Sequence, residues 1–401
     1  MADKRFVFIK DNTEDMEVSR PSLTYWQDAW RRLKKNKLAM VGAFTIIIVL
    51  LFGLFGPSMT KYSYSDQLNK FKNLPPRLEI FDVGENVNFH LSNDYNIFLV
   101  TDDGEVYDRL EPDKLQRDMI NKIYVYKYGT EDDFEEVTLD FSYNLLPSKQ
   151  GFDYDHTIEY NGVVYTQPND KIFNRTFPFG TDDLGRDILT RVMYGTRISL
   201  MIAFIATLVN LMIGVVYGSI SGFEGGKVDE FMMRIVDIIN SVPLILYVIL
   251  LMVTFKDNDG LTNIVIALST VYWVSMARLV RGQMLALKEQ EFVLAASVIG
   301  VPRYKIIFRH LIPNAMGPII VSMTMMIPSA VFTEAFLSFI GLGVSAPQAS
   351  LGTLANNSLS GLLTYPYQLF FPALTIAIII LAFNFLGDGL RDALDPRLRK
   401  G

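Results

Sequence analysis

Long uncharged apolar runs constrain this chain more than any other feature. Leu38–Thr60 reads LAMVGAFTIIIVLLFGLFGPSMT, and Ile198–Phe223 reads ISLMIAFIATLVNLMIGVVYGSISGF. Two shorter runs follow, Ile238–Phe255 and Gly260–Ala277, separated by the charged turn KDND. A further run covers His310–Thr333 and stops at Glu334, after which no charge occurs from Ala335 to Gly387. That last length holds the end of a fifth span, an uncharged loop and a sixth span near Tyr367–Leu386. A helix needs about 20 apolar residues to cross a hydrocarbon core. The expectation is an all-α polytopic membrane protein with six transmembrane helices. A cleaved secretory signal is not expected, because the first apolar run begins only at Leu38 and exceeds a signal core in length.

Half of the 401 residues are apolar, yet 20% are charged, too many for membrane helices alone. The charges show where the chain divides. Thr60 to Thr196 holds 14 Lys/Arg against 25 Asp/Glu, a balance of −11, while the remainder holds 23 against 18. Orientation follows from basic residues in short flanks. Arg31, Arg32, Lys34, Lys35 and Lys37 precede the first span and place the N-terminus in the cytoplasm. Arg391, Arg397, Arg399 and Lys400 put the C-terminus there too. The stretch with Arg278, Arg281, Lys288, Arg303, Lys305 and Arg309 falls on the same side, and the acidic block falls outside.

The acidic block reads as β structure. LEIFDV (Leu78–Val83), YNIFLVT (Tyr95–Thr101), IYVYKYG (Ile123–Gly129) and VTLDFSY (Val137–Tyr143) are rich in β-branched and aromatic residues. EYNGVVYT carries Asn161-Gly162, a two-residue hairpin signal. Asp113–Ile123 reads as a short helix. A small, mainly β domain of roughly a hundred residues is expected, large enough for a minimal core. The organisation is therefore a cytoplasmic segment 1–37, a first span 38–60, an extracytoplasmic insertion 61–172, and a segment 173–197 leading to the second span. A five-helix core 198–387 follows, with a cytoplasmic loop 287–312 and a tail 388–401.

Catalytic constellations are missing. The chain has no cysteine and three scattered histidines, which excludes Cys-ligated metals and HExxH-type ligand spacing. No serine sits in a GxSxG elbow. Gly225-Gly226-Lys227 resembles the end of a phosphate loop, but Ser221 stands where its first glycine is required and Val228 where Ser or Thr would bind magnesium. Nothing here predicts an enzyme, a cofactor, a metal site or nucleic-acid binding. Asn174-Arg175-Thr176 fits a glycosylation sequon and is read as chance. Asp237 and Asp388, near cytoplasmic span ends, are read as capping or packing groups.

The most informative stretch is EQEFVLAASVIGVPRYKIIFRHLIPNAMGP, Glu289 to Pro318. Phe292, Val293, Ala295, Ala296 and Ile299 form an apolar helical face with small residues at its centre. Gly300 supplies a C-terminal break, and Pro302 can open the next helix. The spacing predicts two short helices at an angle, then a basic helix (Arg303, Lys305, Arg309) entering the membrane at Pro313. Small residues let a partner's backbone come close, although a plain amphipathic interface helix shares part of this pattern. Glu334 is the lone acid in its uncharged stretch, where a charge costs about 2.5–3.5 kcal/mol on insertion scales. It reads either as a pathway or gate residue or as a structural hydrogen-bonding group.

This stretch resembles the coupling loop, the EAA loop, of ABC importer permeases, with Ala295, Ala296 and Gly300 in matching places. AWRRLKKNKLAMVGAF (Ala29–Phe44), FGTDDLGRDILTRVMYGTRISL (Phe179–Leu200), GFEGGKVDEFMMRIVDIINSVP (Gly222–Pro243), EAFLSFIGLGV (Glu334–Val344) and GDGLRDALDPRLR (Gly387–Arg399) are similar to the second permease subunit of the oligopeptide/dipeptide permease family. The resemblance covers about Pro21–Ser58 and Phe173–Gly401. Two departures stand out. Leu294 occupies the position of the usual Glu before the paired alanines, with Glu291 three residues earlier, and the acidic β block is an insertion that compact members lack.

The resemblance implies a type I ABC importer permease fold in a bacterial cytoplasmic membrane. It implies a homologous second permease subunit, two ATP-binding cassette subunits that hold ATP and magnesium, and an extracytoplasmic peptide-binding protein. Glu291, Ala295, Ala296, Gly300, Pro302 and Arg303 would then form the ATPase-coupling loop. The cargo expected is di- or oligopeptide, with nickel chelates or another small solute as the alternative. An ion-coupled secondary transporter would need more intramembrane ionisable groups. A membrane-anchored receptor would need a cytoplasmic output domain that no segment is long enough to supply.

Overall fold

One residue, Asn36, separates the first two helices in the computed structural model, which describes residues 24–84, 87–129, 134–143, 153–255, 260–344 and 347–395. Helix α1 (Tyr25–Lys35) begins at a capping box in which Thr24 and Gln27 satisfy each other's backbone N–H. Asn36 caps α2 (Lys37–Met59) by accepting from the Ala39 N–H at 3.2 Å. The expected KDND turn (256–259) and the basic residues Arg397, Arg399 and Lys400 lie outside the described residues, as do 1–23 of the N-terminal segment.

Among the described residues ten strands follow: β1 (Arg77–Asp82), β2 (Asn88–Leu91), β3 (Ile97–Val100), β4 (Val106–Arg109), β5 (Pro112–Asp118), β6 (Ile123–Gly129), β7 (Phe134–Asp140), β8 (Thr157–Tyr160), β9 (Val163–Tyr165) and β10 (Asp170–Phe173). They form two antiparallel sheets, β10-β1-β2-β3-β4 and β5-β6-β7-β8-β9. Phe81, Phe89, Ile97 and Leu99 of the first pack against Tyr124, Tyr126, Val137, Leu139 and Ile158 of the second. The opposite face of the first sheet buries Leu78, Ile80, Phe98 and Val100 with Leu74 and Phe177 of the flanking segments. All four β3 residues, IFLV, are therefore buried, which is why that strand reads as a continuous apolar run.

The Asn161-Gly162 hairpin forms as expected, with φ of 49° and 75°, both in the left-handed region a type I′ turn requires. Asp113–Ile123 is not a helix. Its first half is β5, paired with β6 across a bulge, and its second half is a turn. Asp118 Oδ1 accepts from the N–H of Ile120 and of Asn121, and Lys122 takes φ 61°, so the local hydrogen bonds favour reversal over a helical turn. Because β10 pairs with β1 and sets Arg77 opposite Phe173, the β module begins and ends at one place.

His90 lies within this module, 4% exposed. Its Nδ1–H donates to the Glu79 carbonyl at 2.8 Å, while Nε2 is buried without a hydrogen-bond partner among the described residues. Burial is the main cause that lowers its pKa to about 4. The unfolded chain, titrating near 6.5, takes up this proton first as the pH falls. Stability from neutral His90 is thus complete above about pH 6.5 and is lost toward pH 4, on the order of 3 kcal/mol at most. Protease cleavage within 77–173 should rise steeply between pH 7 and pH 5. His90→Gln should flatten that rise, and an equally steep profile in the variant would contradict the assignment.

Among the described residues the following elements are helices: α3 (Ile188–Glu224), α4 (Gly226–Ser241), α5 (Leu244–Thr254), α6 (Gly260–Val271), α7 (Trp273–Leu287), α8 (Glu291–Val298), α9 (Arg303–Ile306), α10 (Ile312–Phe339), α11 (Leu351–Asn357) and α12 (Tyr367–Leu394). Among the described residues, five helical stretches are long and apolar enough to cross a membrane: Lys37–Met59, Ile188–Glu224, Gly260–Leu287, Arg303–Phe339 and Tyr367–Leu394. A sixth results if α4 and α5, bent by 82°, count as one span. The third run is therefore not the straight helix its composition suggests. Pro243 lacks an N–H and disfavours a helical Val242, and the chain turns there. Helix α3 starts ten residues before its apolar run, because the Asp187 carboxylate caps it by accepting from Leu189 N–H and Thr190 N–H.

Candidate functional site

The elbow predicted from Glu289–Pro318 forms at one end of the bundle. Helix α8 ends in a Schellman motif: the Val301 N–H donates to Ala296 O at 3.0 Å and the Gly300 N–H to Ser297 O at 3.1 Å. Gly300 has φ 81°, and a Cβ placed on it would meet nothing within 4 Å. Glycine serves backbone conformation here, not space. Pro302 is the N-cap of α9, and a single π turn, Ile307–Leu311, carries α9 into α10.

The elbow is clamped to the end of α3 from both sides. Before α8, the Lys288 ammonium donates to Gly222 O at 3.2 Å; after it, Arg303 pairs with Glu224 at 2.8 Å. Val293 and Ala296 turn inward onto Met284, Ile306 and Leu311. Most of the remaining α8 surface is apolar yet uncovered: Val298 is 86% exposed, Phe292, Leu294 and Ala295 are also exposed, and Ile299, just past the helix, is 78% exposed. The face anticipated from spacing is therefore divided, with two residues packed inward and the others open. Leu294 and Glu291 both sit on the exposed part.

Sequence reading missed what couples this elbow to the bundle. Gly214, Gly218 and Gly222 recur every fourth residue on α3. A Cβ on Gly214 would lie 2.6 Å from Met276 Cβ, one on Gly222 would lie 2.7 Å from Arg281 O, and one on Gly218 would collide with Ala277 O. Helices α3 and α7 thus touch backbone to backbone, the contact that small-xxx-small spacing permits. Arg281 grips Asp229 with two hydrogen bonds of 2.6 Å, and Ser221 donates to the same carboxylate, so α4 joins the pair. Asp237 pairs with Arg278 at 2.9 Å between the same elements. The period of four was the legible signal for the glycines. The Arg281–Asp229 contact spans 52 positions and had none.

At the far end of α3, Glu334 is wholly buried. It accepts from Ser199 of α3 at 2.6 Å and from Ser338 at 2.7 Å, and Ser199 Oγ also receives the Leu351 N–H. Through these hydrogen bonds Glu334 ties α3, α10 and α11 together. Asn174 is also fully buried, with Nδ2 donating to Pro75 O and Oδ1 accepting the Phe177 N–H, so the sequon is a structural turn. Gly225 and Gly226, both with positive φ, form the turn between α3 and α4. Among the described residues no group of His, Cys, Asp and Glu could hold a metal ion.

Residues 214–400 match the family described as binding-protein-dependent transport system inner membrane component, and residues 24–76 match the N-terminal TM domain of oligopeptide transport permease C. The chain is 40% identical over 390 residues to the oligopeptide transport system permease protein OppC of Bacillus subtilis, covering 97% of this chain and 95% of that one. It is 38% identical over 400 residues to the dipeptide transport system permease protein DppC of the same organism, at 99% and 94% coverage. Both alignments must run through the β module. With OppC of Escherichia coli the chain shares 47% identity over 221 residues, 55% of this chain and 72% of that shorter one. Among solved structures, the inward-facing MetNI methionine ABC transporter aligns with a TM-score of 0.44 and 19% identity over 51% of this chain and 96% of that one.

Proposed function

Because the chain belongs to the oligopeptide/dipeptide permease family of binding-protein-dependent ABC transporters, we propose that α8 is the element through which a separate ATPase subunit drives this permease. The observation that carries the proposal is an exposed apolar helix clamped at both ends to the longest helix of the bundle. The chain itself is a non-catalytic inner-membrane transport subunit. It works with one homologous permease, two ATP-binding cassette subunits that hold ATP and magnesium, and an extracytoplasmic binding protein that delivers peptide. Both termini and α8 lie in the cytoplasm, a reading supported by Arg31, Lys34 and Lys35 before α2 and Lys37 at its start.

The mechanics follow from packing. When the ATPase subunits close, α8 is displaced, and α7, α4 and α3 move with it because glycine contacts and the Arg281–Asp229 grip leave no slack between them. At 1.5 Å per residue the 37-residue α3 spans roughly 55 Å, enough to carry motion from the elbow to the Glu334 cluster. This is a rigid-body switch between inward-open and outward-open states, driven by differential contacts rather than chemistry on the chain. Peptide is the cargo that the relatives' names support over nickel chelates. Reconstitution with the ATPase subunits, second permease and binding protein should give ATP-dependent uptake from a peptide library. Uptake without ATPase subunits, driven by an ion gradient, would overturn the reading.

The β module stands at the opposite end of the bundle from α8 and is fixed to it: Asn93 donates to Thr364 O, and Asp94 accepts from Asn73, which in turn accepts from Gln368 of α12. We read it as a docking platform for the binding protein, its acidic surface favouring fast, salt-sensitive encounter. Since Arg77 and Phe173 are paired neighbours, residues 77–173 can be replaced by a short linker without pulling the bundle apart. That deletion should weaken binding-protein affinity about tenfold or more and leave ATPase association unchanged. Parental affinity and uptake would reduce the module to a passive decoration.

A further inference from the structure

We infer that α1 is a membrane-surface helix whose outer face holds the anionic headgroups of phospholipids in the leaflet next to α8. Its depth follows from its contacts. From Phe339 back to Gly317, α10 runs about 34 Å, and the first twenty residues of α12 end at Leu386 after about 30 Å, so both helices leave the hydrocarbon near those positions. Helix α1 sits just past both. The Tyr25 hydroxyl lies beside Gly317 and donates to Leu394 O at 2.8 Å, Leu33 packs on Gly389, and Arg32 donates to Asp395 O at 3.2 Å. That level is the headgroup layer.

The two faces of α1 differ. Ala29 and Leu33 are buried against the bundle. Trp26 and Trp30, one helical turn apart, are 51% and 56% exposed, and Arg31, Lys34 and Lys35 are exposed beside them, followed by Lys37 at the start of α2. The Lys34 ammonium lies 5.2 Å from the Trp30 ring. Asp28, the one acid of α1, is neutralised by Arg32 at 3.0 Å, so the outer face is cationic. Tryptophan favours the membrane–water boundary, and basic side chains there are attracted to anionic lipid. A protein partner would fit this face poorly, because Lys is depleted from protein interfaces. The inference rests on the orientation proposed above only in naming the leaflet cytoplasmic.

The chain's third tryptophan, Trp273, is 7% exposed and packs on Tyr217, so fluorescence can report α1. The full chain is reconstituted in bilayers containing phosphatidylcholine or phosphatidylglycerol brominated near the carbonyl end or near the methyl end of the acyl chains. The signal is the emission difference between the parent and Trp26→Phe/Trp30→Phe. Shallow bromines should quench more than deep ones, and brominated phosphatidylglycerol should be preferred several-fold. Lys34→Gln/Lys35→Gln should reduce that preference, by about fivefold per cation at most. Equal quenching at both depths, no preference for the anionic lipid, or protection on adding the ATPase subunits would each overturn the inference. Shallow, anionic-selective quenching with α8 labelled from the external side would instead refute the orientation and leave α1 at the surface.

Discussion

A Val298→Asp chain should reach the membrane at parental level and lose its ATPase subunits, with their affinity falling about thirtyfold or more. Val298 is 86% exposed and supports nothing within the chain, so a carboxylate there costs the isolated permease little. In a docked complex the same carboxylate would be buried against an apolar groove without a partner. Desolvating an unpaired charge at the centre of an interface produces losses of 2 kcal/mol and upward, the range of interface hot spots. Val163→Asp on β9, at 51% exposed, is the matching control and should leave ATPase binding intact. Copurification with the ATPase subunits measures both. Retention by Val298→Asp at parental yield would place the docking surface elsewhere.

Gly300→Val should separate assembly from transport. Nothing lies within 4 Å of a Cβ at Gly300, so the substitution creates no clash; it strains a backbone held at φ 81°. A β-branched residue is disfavoured there by about 1–2 kcal/mol or more, and the Schellman bonds of Val301 and Gly300 would loosen before α8 unfolds. The complex should still form, because Val298 and Ile299 remain, yet the elbow would no longer pass ATPase closure on to α3 rigidly. Uptake should fall about tenfold or more while basal ATP hydrolysis persists. Gly300→Asn, which tolerates the left-handed region, should recover most of the loss. Equal uptake in the valine and asparagine variants would remove Gly300 from the coupling path.

The legible parts were those written in local chemistry. The apolar runs marked the spans because backbone groups in lipid must be satisfied within a helix. Asn161-Gly162 marked a hairpin because few residue pairs accept two positive φ angles. Gly300 and Pro302 marked the elbow for similar reasons. The failures were non-local. Asp113–Ile123 has helix-compatible composition, but pairing with β6 decides its conformation. The break at Val242-Pro243 hid inside an uncharged run, marked only by Asn240, Ser241 and Pro243. Which α8 residues face outward depends on Met284, Ile306 and Leu311 arriving from other helices, and pattern alone assigned Phe292 and Val293 to one face. Glu334 was visible as an isolated acid; the serines that satisfy it come from 135 positions upstream as well as from its own helix.

The chain contains no cysteine, so a single cysteine at Val298 reports on α8 without interference. In the assembled transporter, Val298→Cys should crosslink to an ATPase subunit. In vesicles of the permease alone it should react with a membrane-impermeant maleimide from the cytoplasmic side only. Labelling from the external side, or a crosslink to the binding protein instead, would contradict the account.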